Sequence, residues 1–178
     1  MPSLKIDDLD KILNLLSKTR DKFTYFVETG TYHGDTIIEM SNYFDKLYTI
    51  ELSNNLYELF QQKNYNKEKI KSILGDSSEK ISEVIPELQS ETIFFLDGHF
   101  SSCGTAKGSK DVPLIEELLV INKLFHKESI IIIDDFRLFN TNFSEDWTEI
   151  TLDSVRNVIK NRIVKEIIVN DRLVFNIR

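Results

Sequence analysis

Carboxylates recur along this chain, each just beyond a short apolar run. Glu28 leads into E-T-G-T-Y-H-G and Glu51 closes L-Y-T-I-E. Asp76 sits in G-D-S, Asp97 and His99 frame D-G-H, and Asp134 and Asp135 follow a run of isoleucines. A single carboxylate of this kind is ordinary, because Asp or Glu ahead of a helix caps it or favours its positive end. Several in succession point to a shared ligand, since converging carboxylates repel one another unless they bind hydroxyls, an amine or a cation. Glu51 is the most readable. It follows Gly30 by 21 positions, the spacing at which an acidic residue accepts hydrogen bonds from ribose hydroxyls. Asp76 could accept from an adenine amino group, with Ser77 capping the helix beyond it; capping alone competes with that reading. His99 is a candidate general base, because imidazole titrates near neutrality. Of the other histidines, His33 is expected to pack or touch a cofactor and His126 to lie on the surface.

These residues need a scaffold that gathers strand ends. The apolar pattern alternates between helical and extended periods. Helices are expected over 6–19, 35–44, 53–62, 78–88, 113–126 and 152–162, and strands over 23–28, 46–51, 70–74, 92–96 and 130–133. Ser53 suits an N-cap, Pro86 bends or ends its helix, and Pro113 suits a first turn. Strand–helix alternation implies a parallel sheet covered on both faces, and the isoleucine run fits a strand buried on both sides. The chain closes differently. Two β-rich segments within 163–178 are joined only by Asn170 and Asp171, so they form an antiparallel hairpin, because a parallel crossover needs a dozen or more residues. Asn and Asp tolerate the left-handed conformations of such a turn. The expected fold is α/β: one domain over 1–178, with an N-terminal helix within 1–20 and a Rossmann-like, doubly wound, mostly parallel sheet. Ligands of such sheets bind beyond the carboxyl ends of the strands. All six glycines follow predicted strands there, and none comes after Gly108.

Composition narrows the partners. Hydrophobic residues at 41% and charged residues at 29% are ordinary for a globular chain of 178 residues. A net charge of −7 argues against nucleic acid as the main partner. The single Cys103 excludes an intramolecular disulfide and a CxxC metal site. No apolar run approaches the ~20 residues that span a bilayer, and the charged N-terminus does not read as a signal peptide. A cytoplasmic protein without a membrane partner is expected, with a homodimer left open.

The first loop reads E-x-G-x-x-x-G, with Glu28 where a pyrophosphate binder has glycine. A carboxylate there repels phosphates and suits a cofactor with a cationic amino group. S-adenosylmethionine, with its sulfonium and α-ammonium groups, is such a cofactor. In this respect the chain resembles the class I S-adenosylmethionine-dependent methyltransferases. V-E-T-G-T-Y-H-G matches their first motif, Glu51 the acidic end of strand two, and G-D-S the adenine-side loop. The resemblance spans nearly the whole chain and implies about seven strands in the order 3-2-1-4-5-7-6. It also implies roles. Glu28, Gly30 and Thr31 would lie along the methionine portion, Glu51 would hold the ribose, Asp76 with Ser77 would flank the adenine, and Thr29, Gly34 and Asp97 would also bind the cofactor.

Asp97 with Asp134 and Asp135 is similar to the divalent-metal site of catechol-type O-methyltransferases, where an Asp-Asn pair follows strand five; here Asp135 replaces the Asn. Hard carboxylate oxygens suit Mg²⁺ or another divalent cation, which would acidify and orient an acceptor hydroxyl. The competing reading has Asp134 capping the next turn and Asp135 paired with Arg137. On this resemblance Asp97, His99 and Asp135 are the catalytic candidates. Residues 100–111, F-S-S-C-G-T-A-K-G-S-K-D, form a small polar loop of the kind that carries specificity. Ser101, Thr105 and Lys107 there, with His99 and Arg137, are candidate acceptor contacts. Trp147 could stack on a sugar ring, with a core role as the alternative. D-G-H-F-S, T-A-K-G and P-L-I-E-E-L resemble small methyltransferase-like proteins of glycan and secondary-metabolite pathways, which implies a sugar or other hydroxylated acceptor. Two readings compete with O-methyl transfer. One is a non-catalytic cofactor-binding or scaffolding domain; the other is a nicotinamide-dependent enzyme, which Glu28 and the terminal hairpin oppose.

Overall fold

The structure, a computed structural model, describes residues 3–63, 65–101, 105–108, 110–143 and 145–178. Cys103 and Gly104, which the sequence reading covers, lie outside them.

Strand β1 (Tyr25–Thr29) is the centre of the sheet. It pairs in parallel with β2 (Lys46–Glu51) on one side and with β4 (Thr92–Leu96) on the other. Beyond β2 lies β3 (Ile70–Leu74), and beyond β4 lies β5 (Ser129–Ile133), both parallel. The hairpin of β6 (Ile163–Val169) and β7 (Arg172–Ile177) adds β7 antiparallel to β5 and leaves β6 at the edge. The order is β3-β2-β1-β4-β5-β7-β6, as the resemblance implied. Asn170 and Asp171 turn the hairpin with φ of 49° and 63°, the left-handed pair that a two-residue turn requires.

Both faces of the sheet are apolar because successive side chains alternate between them. Val27, Phe94, Ile131 and Ile133 face one core, against α4 (Ser77–Val84), α5 (Leu114–Leu124) and α6 (Leu152–Ile159). Phe26, Phe95, Ile130 and Ile132 face the other, against α1 (Ile6–Leu15), α2 (Asp35–Met40) and α3 (Asn54–Gln61). This is why four consecutive isoleucines are all 0–1% exposed.

The helices are shorter than their periodicity suggested, and the local reasons are visible. Helix α2 stops at Met40, where Tyr43 N–H bonds back to Met40 O at 2.9 Å. That turn delivers Phe44 into the core, 5.3 Å from the Phe26 ring. Helix α1 stops at Leu15, before Ser17 takes a left-handed φ of 57°. Helix α4 gives way to a 3₁₀ turn at Ile85–Glu87 containing Pro86, which has no N–H to continue the ladder. Ser53 caps α3, its side chain accepting from Leu56 N–H at 3.3 Å. Among the described residues no helix is long and apolar enough to cross a membrane.

Candidate active site

Strand order reverses between β1 and β4, and a cavity of about 410 Å³ opens beyond their carboxyl ends. That is where ligands of doubly wound sheets bind, and the volume suits a cofactor-sized molecule. The two chain ends pass very close there. Gly30 has φ +80°, and a Cβ on it would lie 2.4 Å from the carbonyl oxygen of Asp97. Only glycine meets both conditions. Gly34, at the start of α2 with φ +73°, is equally constrained, because a Cβ there would strike the Phe60 ring at 2.2 Å.

The acidic residues of the first two strands have fixed partners. Glu28 is 2% exposed and accepts a hydrogen bond from the Thr49 hydroxyl at 2.8 Å. Thr49 in turn meets the Thr31 hydroxyl at 2.6 Å. Burial raises the Glu28 carboxyl well above its ordinary range, and the nearby Asp97 and Glu51 add to this against the Thr49 bond. Glu51 spans the mouth of two loops, one oxygen accepting from Tyr32 N–H and the other from Ser53 N–H, both at 2.8 Å. Burial also raises Glu51, and these backbone donors oppose it.

In the loop after β3 one expected role moves. Asp76, not Ser77, caps the next helix, accepting from Ser78 N–H at 3.0 Å. Ser77 lies in the first turn of α4 and bonds to Glu117 of α5. Both Asp76 and Ser77 still line the cavity. Thr29 does not. It is fully buried, its hydroxyl accepting from Asp97 N–H at 3.3 Å and bonding Glu117.

Beyond the ends of β4 and β5, Asp97, His99 and Asp135 converge. His99 Nδ1 is 3.7 Å from Asp97, and Nε2 is 3.4 Å from Asp135 and 3.8 Å from Glu145. Burial, then Asp134 and Asp135, push the Asp97 carboxyl well up, partly countered by a hydrogen bond with Ser3 and by Arg172. Asp134 does not line the cavity. Its Oδ1 lies 3.3 Å from Nε of Arg172 on β7, its carboxyl also accepts from the Asp135 backbone N–H, and it is not among the three residues that converge. Asp135, in a left-handed conformation with φ 56°, pairs with Arg137 at 2.5 Å while still facing the cavity.

The remaining acceptor candidates divide. Ser101 and Thr105 line the cavity, but the Thr105 hydroxyl is occupied by the Ser101 backbone. Lys107 is exposed, pairs with Asp111 at 2.7 Å and does not line the cavity. Arg137 is also exposed and away from the lining, paired with Asp135 and Asp171. Trp147 takes the core role. It is 3% exposed, edge-on to His99 at 5.2 Å, and donates to Glu145 at 3.0 Å. His33 and His126 are exposed, His33 with its ring 4.0 Å from that of Tyr32.

Ser3, Glu117, Glu145 and Arg172 were missed. Two of them had a readable basis. Glu117 shares the apolar stripe of Leu114, Leu118 and Ile121, which is unusual company for a carboxylate. Arg172 opens a strand antiparallel to β5, so the start of β7 must lie beside the Asp134 end of β5.

The donor set of the cavity is strongly one-sided. Among the described residues seven carboxylates line it (Glu28, Asp35, Glu51, Asp76, Asp97, Asp111 and Asp135) against one lysine, Lys110; Lys110 pairs with Glu116, and Asp35, Asp111 and Asp135 pair with Lys63, Lys107 and Arg137. Such a lining repels phosphate and accommodates a cationic, hydroxyl-rich ligand.

No family model matches the chain, and no curated protein does. Solved structures do. A candidate caffeoyl-CoA O-methyltransferase from Staphylococcus aureus superposes with a TM-score of 0.66 at 14% identity, over 99% of this chain and 85% of that one. SMU.1697c, a candidate methyltransferase of Streptococcus mutans in complex with SAH, matches at 0.59 and 12% identity over the whole of both chains. The O-methyltransferase TomG of Streptomyces achromogenes, in complex with SAM, matches at 0.56 and 15% over 95% of this chain and 78% of that one. The chain therefore has the fold of the class I S-adenosylmethionine-dependent methyltransferases.

Proposed function

We propose that this chain, built on the class I methyltransferase fold, is an S-adenosylmethionine-dependent methyltransferase acting on a hydroxyl of a sugar, glycan or other small polyol. The observation that carries the reading is the acidic lining: among the described residues Glu28, Glu51, Asp76 and Asp97 face the cavity with no lysine or arginine paired to them, against one lysine, itself paired. A nicotinamide dinucleotide would bring its pyrophosphate into that field, whereas S-adenosylmethionine brings a sulfonium and an ammonium. The SAM and SAH complexes of structural neighbours support the same cofactor.

S-adenosylmethionine, when bound, supplies a methyl carbon that is displaced in line from sulfur by the acceptor oxygen, leaving S-adenosylhomocysteine. The chain's contribution is largely positioning. Glu51, pinned by Tyr32 and Ser53 N–H groups, presents its remaining lone pairs to the ribose. Asp76 faces the adenine side with the oxygen not used for capping. Gly30 brings backbone against the methionine portion, and the buried carboxyls of Glu28 and Asp97 give its ammonium an acidic surrounding. His99 stands at the acceptor end, where a ring nitrogen can take the hydroxyl proton. Asp97, Asp111 and Asp135 provide acceptors for sugar hydroxyls. Asp97 and Asp135 also fit a divalent cation, which would lower the acceptor's pKa and orient it.

Calorimetry with S-adenosylhomocysteine and with NAD tests the cofactor. Binding of the first and not the second is expected; the reverse would sink the reading. A non-catalytic cofactor-binding domain would bind S-adenosylhomocysteine and yet leave S-adenosylmethionine unconsumed across a panel of sugars and polyols.

A further inference from the structure

Ser3 is an exposed residue that lines the cavity, and side chains from distant parts of the chain hold both of its backbone polar groups. Its N–H donates to the Thr36 hydroxyl of α2 at 3.0 Å, 33 positions away. Its carbonyl accepts from Arg172 of β7 at 2.5 Å, 169 positions away. Its own hydroxyl bonds the Asp97 carboxyl just beyond β4. Three elements thus meet at one exposed serine. We propose that Ser3 is a positioning residue of the cofactor site, holding the Asp97 carboxylate in place for the ammonium group of the methionyl portion. The inference rests on the methyltransferase reading.

Anchoring the N-terminal helix does not account for these ties. Terminal segments stay loose unless something holds them, but the residues after Ser3 already provide that hold. Leu4 is fully buried in the core shared by α1, α2 and α3. Ile6 N–H donates to Glu39 Oε1 of α2 at 2.8 Å, and Asp8 lies 3.8 Å from Arg172. With α1 secured in this way, the bonds to Ser3 fix the one residue of the segment that reaches the cavity. The brace itself is rigid, because Arg172 is 7% exposed and also faces Asp134 at 3.3 Å.

Asp97 needs such a partner. Its backbone is fixed, with the N–H donating to the Thr29 hydroxyl at 3.3 Å and the carbonyl set against Gly30. Its side chain is held less firmly from the other side, where His99 stands at 3.7 Å, beyond the roughly 2.7–2.9 Å of a charge-assisted hydrogen bond. A hydroxyl that donates to one lone pair leaves the others to a ligand. A carboxylate ordered in advance spares binding part of the loss of side-chain freedom.

The test is calorimetry on the full chain with S-adenosylhomocysteine and with 5′-methylthioadenosine, which share the adenosine thioether and differ in the amino-acid portion. Ser3→Ala should weaken the first about three- to tenfold, the worth of one hydrogen bond, and leave the second within about twofold. Ser3→Thr keeps the hydroxyl and should bind both as the parent does. Asp97→Asn should weaken S-adenosylhomocysteine at least as much as Ser3→Ala. Adding Ser3→Ala to it should change affinity by no more than about twofold further, because Ser3 acts through Asp97. Thermal melts exclude variants that fail to fold. A Ser3→Ala variant that binds both ligands as before, loses both alike, or adds its full factor to Asp97→Asn overturns the proposal, as does a Ser3→Thr variant as weak as Ser3→Ala. If the unchanged chain binds neither ligand, the methyltransferase reading fails and the inference with it. If it binds both and Ser3→Ala is silent, only the inference fails.

Discussion

Nε of Arg172 faces Oδ1 of Asp134 at 3.3 Å, with the two side chains 9% and 13% exposed. Arg172 also donates to the Ser3 carbonyl at 2.5 Å, tying the N-terminal segment to the hairpin. Burial raises Asp134 to about 6 even though Arg172 pulls it down, so the pair is only partly compensated. Removing one partner of a buried pair costs about 3–5 kcal/mol, whereas replacing both with apolar groups costs far less. Urea unfolding of Arg172→Leu should show a loss of that size, and the double variant Arg172→Leu with Asp134→Leu should recover most of it. A double variant no more stable than the single would refute the pairing.

Gly30 offers a sharper test of the cofactor edge. Its left-handed φ costs a substituted residue roughly 1 kcal/mol, and the 2.4 Å approach to the Asp97 carbonyl must also be relieved. Gly30→Ala should lower stability by about 2–4 kcal/mol and weaken S-adenosylhomocysteine binding, read by denaturation and calorimetry. A fully stable variant would mean that β1 and β4 part easily.

Much of this was legible in the chain. The strands followed from periodicity, their order from the family likeness, and the hairpin from a two-residue Asn-Asp connection. Strand ends identified the cavity residues, because topology alone brings them to one edge. What was hidden depends on pairings across the fold. Nothing local says that Arg172 will claim Asp134 while Asp135 stands beside His99. For Trp147 stacking on a sugar and a core role stood side by side, and only the fold places its indole against His99 and Glu145. Ser77 was credited with the cap that Asp76 makes. Both are good first-turn residues, and only the backbone geometry distinguishes cap from first turn.

Glu51 is tied to two backbone N–H groups, those of Tyr32 and Ser53. A carboxylate hydrogen bond is worth about 1.5–3 kcal/mol. Glu51→Gln should therefore weaken S-adenosylhomocysteine binding by roughly 10–100-fold, with melting temperature changed by a few degrees at most. If calorimetry finds affinity unchanged, the ribose lies elsewhere.

Glu128 gives the fold an acid-sensitive clasp. Burial alone would raise it, but Lys18 and Lys22 more than offset that and hold it at about 2. Asn176 donates to the same carboxylate at 3.0 Å. A folded pKa below the unfolded value near 4.5 contributes stability that is present above about pH 4.5 and lost as pH falls towards 2. Glu128→Gln should lower stability by about 2 kcal/mol at pH 7, with the difference shrinking to nothing near pH 2. An unchanged difference across that range would show that the clasp is not electrostatic.

Glu117 has the opposite sign. It is 1% exposed beneath the cofactor edge, and burial lifts it to about 7 against hydrogen bonds from Ser77 and Thr29. One of its oxygens, Oε1, has no partner among the described residues. The folded chain therefore binds this proton more tightly than the unfolded chain, whose pKa is near 4.5. Stability from this group is full below about pH 4.5, declines as pH rises to 7 and stays reduced above it. Glu117→Gln, which keeps the shape and both kinds of hydrogen-bonding group, removes the penalty. It should be more stable than the parent by about 1–3 kcal/mol at pH 8 and indistinguishable from it at pH 4. Chemical denaturation at the two pH values decides. A Gln variant less stable at pH 8 would mean that the charge is wanted there, compensated by a donor which Ser77 and Thr29 do not account for.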